Sequence, residues 1–228
     1  MSDLSAEDWI KFPLQSQFII MTWEEYHAMY SFAKTLSDNS VIVEVGSALG
    51  GTACLIASVN PTFKVHSIDS FQYNHVYEIW ERARPHCGEQ IEGWNLTQHV
   101  DNRVDSNMWV NDINTLFSAD RSGQLVHEHI TKPYTNIIPH VGISPDDFSN
   151  WNTMVDVYIE DSMHTNPTLH SNLEFWKKFV NPGGYIVGHD YEAELYPDVF
   201  SEFNKLIRMG WKKVSLTVNL IILQKPLN

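Results

Sequence analysis

The stretch VIVEVGSALGGTACLIA, residues Val41–Ala57, joins an apolar run to a helical run through a glycine-rich turn. Val41–Val45 is apolar except for Glu44, which is typical of a central parallel strand covered by helices on both faces. A strand that turns sharply into a helix leaves free backbone N–H groups at the helix N-terminus, where an anionic or nucleotide-like ligand binds well. The stretch therefore predicts the first strand of an α/β sheet with a ligand site beside it.

The flanking segments continue the alternation of helices and strands. Thr22 and Glu25 have the spacing of a capping box at the start of a helix predicted at 23–36. Phe63–Asp69 alternates as a second strand. Further strands are predicted at Tyr134–Val141, Val155–Ile159 and Tyr185–Val187, helices at 50–59, 168–179 and 197–209, and a two-stranded hairpin across 212–225. This order predicts a Rossmann-like, doubly wound α/β fold: a mostly parallel seven-stranded sheet with a C-terminal antiparallel hairpin.

The length and composition favour one domain over residues 1–228. The segment at about 70–133 is too long for an ordinary loop, so we expect a lid or substrate insertion there, with helices around Tyr77–Arg84 and Met108–Phe117. No apolar run approaches a membrane span, and the N-terminus lacks the pattern of a signal peptide, so we expect a cytoplasmic protein that does not bind membranes. The two cysteines form neither a metal cluster nor a disulfide framework.

The net charge of the chain limits the kinds of partner that it is expected to bind. The formal net charge is -13, and no basic stretch is available to bind a phosphate backbone, so the sequence argues against nucleic acid as a partner. We therefore expect a small-molecule substrate. A homo-oligomer is compatible with the sequence.

The glycine turn and a distant aspartate together predict a nucleoside site. Gly46 and Gly50 belong to the turn, and Asp69 follows about twenty residues later at the end of the next strand. In a doubly wound sheet such an aspartate faces the same crevice as the turn and can accept hydrogen bonds from both ribose hydroxyls. An adenosine-containing ligand is the prediction.

Two features of the turn disfavour NAD. Ala48 stands where the dinucleotide fingerprint has the glycine that lets the backbone approach the pyrophosphate. The carboxylate of Glu44 would repel a pyrophosphate, yet it would attract a ligand that carries an amino group or a cationic centre. The turn thus favours an adenosine ligand with an amino group or a cationic centre over a dinucleotide.

A second set of residues predicts a metal site. Asp161 and His164 follow one predicted strand, and His189 and Asp190 follow the next. Adjacent parallel strands lie about 4.8 Å apart, so the two aspartates can converge on one cation, magnesium, or manganese if His189 also binds. Two alternatives remain open: Asp161 could cap the following helix, and His164 could be a solvated loop histidine.

These motifs resemble a known family. Glu44 followed by G-x-x-x-G resembles motif I of the class I S-adenosylmethionine (SAM)-dependent methyltransferases. A second pattern resembles the metal-dependent O-methyltransferase branch that includes macrolide sugar methyltransferases. It consists of D-x-x-H, a helix, P-G-G, a strand and G-H-D-Y, and it is similar also to cephalosporin hydroxylase-like proteins. The resemblance covers about residues 23–203. Met163 and Asn172 depart from it, since relatives often carry acids there.

The resemblance implies roles for individual residues. Gly46 to Gly50 would pass under the methionine part of SAM, Glu44 would support the turn or the amino group, and Asp69 would hold the ribose. Asp161 and Asp190 would bind the metal, and His164 would act as the base on a substrate hydroxyl. The candidate cofactor-binding residues are therefore Glu44, Gly46, Ser47, Gly50, Asp69 and Ser144, the candidate metal ligands Asp161, His189 and Asp190, and the candidate catalytic residue His164.

The resulting hypothesis is a SAM-dependent O-methyltransferase, dependent on Mg²⁺ or Mn²⁺, that acts on a hydroxyl of a small polar molecule such as a sugar. Two alternatives stay open at this point. One is a hydroxylase-like oxidoreductase on the same fold. The other is a module that binds SAM or a nucleoside without catalysis.

Overall fold

The computed structural model describes residues 21–71 and 123–227. The helices predicted around 77–84 and 108–117, and most of the predicted insertion, lie outside these residues. The helices are α1 (Trp23–Ala33), α2 (Gly51–Val59), α3 (Gly123–Thr131), α4 (Thr168–Trp176) and α5 (Pro197–Arg208). The strands are β1 (Val41–Val45), β2 (Lys64–Asp69), β3 (Ile137–Val141), β4 (Val155–Glu160), β5 (Val180–Gly188), β6 (Lys212–Thr217) and β7 (Leu220–Gln224), and a 3₁₀ turn spans Asp146–Phe148.

Within the described residues, seven strands form one sheet in the order β3-β2-β1-β4-β5-β7-β6. The strands from β3 to β5 are parallel, whereas β7 runs antiparallel to both β5 and β6. The predicted Rossmann-like architecture with a C-terminal hairpin is confirmed. The order of the strands reverses between β1 and β4, and ligands of such sheets bind outside the carboxyl ends of the strands at this point.

The helices cover both faces of the sheet, which explains why β1 is apolar except for Glu44. Ile42 packs in a cluster with Met29 of α1 and Leu55 of α2. Val43 points to the opposite face, where the cluster includes Trp176 of α4 and Phe203 of α5. Because successive side chains of a strand alternate between faces, each face of β1 needs its own apolar residues.

Two strands begin three or more residues from the predicted position. β5 starts at Val180 rather than Tyr185, because Pro182–Gly184 continues the strand through a bulge: the partner of Val155 is Val180, whereas the partner of Val157 is Tyr185. Gly183 permits the bulge with a φ of 77°. β3 starts at Ile137 rather than Tyr134, because the Tyr134 N–H donates to the Thr131 carbonyl in the turn that ends α3.

Candidate functional site

The glycine turn is held against both neighbouring strands of β1. The N–H groups of Gly46 and Ser47 donate to the Ile68 carbonyl of β2, at 3.0 and 3.2 Å. Gly46 has a φ of 95°, and a Cβ atom on it would lie 2.2 Å from the main-chain oxygen of Asp161. Gly50 precedes α2 in the left-handed conformation, with a φ of 84°. Both glycines are therefore required by the backbone path.

Asp69 braces the turn from the end of β2. One carboxylate oxygen accepts the N–H of Ala48, and the other accepts the N–H of Phe71, both at 2.9 Å. Ala48 itself has a φ of 46°, a left-handed conformation that costs an alanine about 1 kcal/mol. A carboxylate oxygen has two lone pairs, so Asp69 can accept further hydrogen bonds on its cavity side.

Glu44 lies beneath the turn in a buried hydrogen-bonded chain. The Ser47 hydroxyl donates to the Glu44 carboxyl at 2.8 Å, and the Ser67 hydroxyl donates to Ser47 at 2.7 Å. Burial raises the pKa of Glu44 to about 7, against the opposing effect of the Ser47 hydrogen bond. His127 of α3, 2.7 Å from Ser67, ends the chain, and burial lowers its pKa to about 4.

A cluster of four polar side chains lies at the carboxyl ends of β4 and β5: Asp161, His164, His189 and Asp190. The Nε2 atom of His164 lies 2.9 Å from Asp190 Oδ2 and 4.0 Å from Asp161 Oδ1. The Nδ1 atom of His189 lies 3.2 Å from Asp161 Oδ1 and 3.4 Å from Asp190 Oδ2. The structure thus brings together all four residues that the sequence placed at these strand ends.

The charges of this cluster reinforce one another. The neighbouring carboxylates of Asp161 and Asp190 raise the pKa of His164 to about 9. Burial lowers the pKa of His189, but the same two carboxylates outweigh it and raise the pKa well above its usual value. Burial raises the pKa of Asp190, but the two histidines hold it far below its usual range. The cluster therefore balances two carboxylates against two imidazoles.

The cluster fits a divalent cation. One ligand atom each from Asp161, His164 and Asp190 lie within 4.8 Å of one another. Two carboxylates with an imidazole suit Mg²⁺ or Mn²⁺. His189 approaches the same carboxylates as closely as a ligand would, so either histidine can complete the set. Asp161 does not cap the next helix, because α4 begins after Pro167 without a side-chain cap.

A cavity of about 350 Å³ connects the turn to this cluster, a size typical of small-molecule sites. The residues of the predicted site that line it are Gly46, Ser47, Asp69, Ser144, Asp161, His164, His189 and Asp190. Glu44 and Gly50 contribute instead to the shape of the turn. The hydroxyl oxygen of Ser144 accepts the Trp176 indole N–H at 2.8 Å, which leaves its own proton free to donate.

Asn172 is a cavity residue that the sequence analysis did not assign. Its side chain is buried, its Nδ2 donates to Ser162 at 3.0 Å, and its Oδ1 has no hydrogen-bond partner within the described parts of the chain. Asn172 therefore contributes a buried acceptor to the wall of the cavity. The sequence did hold a signal: Asn172 lies on the buried stripe of α4, with Leu169, Leu173 and Trp176.

The fold and the site together define a class I methyltransferase architecture, and the comparisons agree. The family model described as "Methyltransferase domain" matches residues 43–191. The chain therefore belongs to this methyltransferase family, and its methyl donor is SAM. The match spans β1 to the residues just after β5, and so includes both halves of the site.

Solved structures support the fold. The O-methyltransferase NovP is 14% identical, with a TM-score of 0.58 and coverage of 89% of this chain and 80% of that chain. A methyltransferase from Geobacter sulfurreducens is 12% identical, with a TM-score of 0.54 and coverage of 88% and 77%. The Methanococcus jannaschii fibrillarin pre-rRNA processing protein is 15% identical, with a TM-score of 0.50 and coverage of 84% and 69%. A search of curated proteins finds no match to this chain.

Helices of membrane-spanning length and hydrophobicity do not occur in the described ranges.

Proposed function

We propose that this methyltransferase transfers the methyl group of SAM to a hydroxyl of a small polar molecule such as a sugar, with a divalent cation bound at the carboxyl ends of β4 and β5. The observation that carries the proposal is the single cavity shared by the glycine turn and the Asp161–His164–Asp190 cluster. A donor bound at the turn and an acceptor bound at the cluster would meet in that cavity.

The residues of the turn would bind the donor. Asp69 would accept hydrogen bonds from the ribose hydroxyls, and the backbone at Gly46 and Ser47 would pass close to the methionine part. Ser144 lines the same cavity and can donate a hydrogen bond to the bound donor molecule. When bound, SAM would supply the methyl group, and the electron pair of the broken C–S bond would stay on sulfur.

The residues of the cluster would bind and deprotonate the acceptor. Asp161, Asp190 and His189 would hold the cation, which lowers the pKa of a hydroxyl that it contacts. Metal binding releases protons from its site, so His164, which the two carboxylates otherwise hold protonated, would then be neutral and would take the hydroxyl proton. Asp190, 2.9 Å from its Nε2, would orient the ring and stabilise the imidazolium that forms. Positioning of the two reactants within one cavity supplies much of the remaining rate.

Calorimetric titration with SAM, and then with NAD, each with and without Mg²⁺ or Mn²⁺, is the first test. We expect saturable SAM binding, no NAD binding, and metal-stimulated methyl transfer in a screen of sugars and other polar alcohols. Tight SAM binding without transfer to any alcohol would favour the binding-module alternative, and NAD binding would favour the oxidoreductase alternative. The cytoplasmic location stays a prediction, which fractionation of the native cells can check.

A further inference from the structure

Glu25 makes more contacts than a helix-capping residue needs. It lies in the first turn of α1 and completes a capping box, in which its Oε2 accepts the N–H and the hydroxyl of Thr22 at 2.8 and 2.9 Å. Its Oε1 accepts the N–H of Asn219, between β6 and β7, at 2.8 Å. Only 2% of the residue is exposed. A capping-box glutamate normally bonds back to the first residues of its own helix. Glu25 is buried and bonds in addition to a distant loop.

The fixed carboxylate reaches the candidate cation site. Oε2 of Glu25 lies 3.5 Å from His189 Nε2, while Nδ1 on the other side of the ring faces Asp161 and Asp190 at 3.2 and 3.4 Å. The imidazole of His189 thus lies between one carboxylate from α1 and two from the strand ends. Glu25 is distant in sequence from every motif of the site.

We propose that Glu25 is a positioning residue that holds His189 in the orientation and tautomer of a cation ligand. A ring nitrogen binds a metal ion only when it carries no proton, so Nδ1 can join Asp161 and Asp190 only if the ring proton resides on Nε2. The Glu25 carboxylate, 3.5 Å from Nε2, favours the proton on that atom, and a carboxylate behind a ligating histidine typically strengthens metal binding 10- to 100-fold. This inference rests on the cation of the proposed function.

The decisive experiment measures binding of Mn²⁺ alone to the wild-type chain, Glu25→Gln and Thr22→Val, by the EPR signal of free Mn²⁺. Glutamine is compatible with the capping box, so Glu25→Gln keeps the helix start and removes the negative charge behind His189. Thr22→Val is the matched control, because it damages the same cap and leaves the Glu25 carboxylate. We expect about tenfold or greater loss of Mn²⁺ affinity in Glu25→Gln and less than about twofold change in Thr22→Val.

A second measurement needs no variant. In the Mg²⁺-loaded wild-type chain, ¹⁵N chemical shifts of the His189 ring should show the proton on Nε2. A proton on Nδ1, unchanged Mn²⁺ affinity in Glu25→Gln, or an equal loss in Thr22→Val would each overturn the role of Glu25. SAM affinity, measured on the same samples, should not change. If the wild-type protein binds both Mn²⁺ and SAM but transfers no methyl group to any alcohol, the proposed function is refuted. The result on Glu25 would still stand, because it depends only on Mn²⁺ binding.

Discussion

Gly46 and Asp161 approach so closely that a methyl group on Gly46 would lie 2.2 Å from the Asp161 main-chain oxygen. The contact joins the two halves of the cavity, since Gly46 begins the glycine turn and Asp161 belongs to the Asp161–His164–Asp190 cluster. The Asp161 N–H also donates to the Val45 carbonyl at 3.0 Å. The position of the aspartate therefore depends on the absence of a side chain at Gly46.

Gly46→Ala is expected to abolish measurable SAM and Mn²⁺ binding, because backbone atoms of Asp161 and Ser162 would have to move. Gly210→Ala is the matched control: its φ of 98° imposes the same conformational cost, of about 1–2 kcal/mol, but the new methyl group would meet no atom closer than 3.8 Å. Calorimetry and thermal unfolding of both variants separate the steric effect from the conformational one. Equal effects of the two substitutions would show that the contact with Asp161 is unimportant.

Asp161→Asn and Asp190→Asn are each expected to eliminate the response of activity to Mg²⁺ while SAM affinity stays within about threefold. A neutral amide is a poor ligand for a hard cation. Asp38→Asn makes the same change of charge at an exposed residue before β1, at the opposite end of the strand, and should leave both properties intact. Full metal-stimulated activity in the Asp161 and Asp190 variants would exclude the cation site.

Asp69→Asn is expected to weaken SAM binding about 10- to 100-fold, because hydrogen bonds to a charged acceptor contribute about 1.5–3 kcal/mol. The readout specific to the ribose is the preference for adenosine over 2′,3′-dideoxyadenosine, measured by competition with SAM. The wild-type chain should prefer adenosine, and the variant should lose that preference. A preference that survives in Asp69→Asn would assign the ribose to other residues.

The stability of the protein should depend on pH through His127. Burial lowers its pKa to about 4 in the folded state, against about 6.5 when unfolded. A lowered pKa of a histidine contributes stability above pH 6.5, and that stability is lost as the pH falls towards 4. When the pH is lowered from 7.5 to 5, the unfolding free energy of both proteins should fall. We expect the fall in His127→Gln to be about 2 kcal/mol smaller than that in the wild type.

Urea denaturation at the two pH values measures this difference. His129→Gln, a substitution of a partly exposed histidine on the same helix, is the control and should follow the wild type. If His127→Gln keeps the pH dependence of the wild type, the histidine is charged in the folded state or the loss arises elsewhere.

The elements around the glycine turn could be predicted almost to the residue, because their signals are local. The run Val41–Val45 matches β1, and the acid at the end of β2 lies in the cavity as expected. The assembly of Asp161, His164, His189 and Asp190 also followed from sequence, since the ends of neighbouring parallel strands meet at one edge of the sheet.

Contacts between distant segments could not be predicted in the same way. Glu25 was recognisable as part of a capping box, but nothing near it in sequence indicates that its carboxylate reaches His189. The same holds for His127, whose link to Ser67 depends on how α3 packs on the sheet. The spacing of apolar residues predicts which face of a helix or strand is buried. The residue that a side chain contacts on another element depends on how the two elements pack together.

The pairing of β1 with β4, which sets Val43 beside Tyr158, has a consequence for the order of events during synthesis. A nascent chain that ends before Val155 already holds the glycine turn and Asp69, yet it lacks the strands that carry the other half of the crevice. Pairing of segments so distant along the chain is slow, because a large loop must close first. The two halves of the crevice can thus come together only after β5 has left the ribosome.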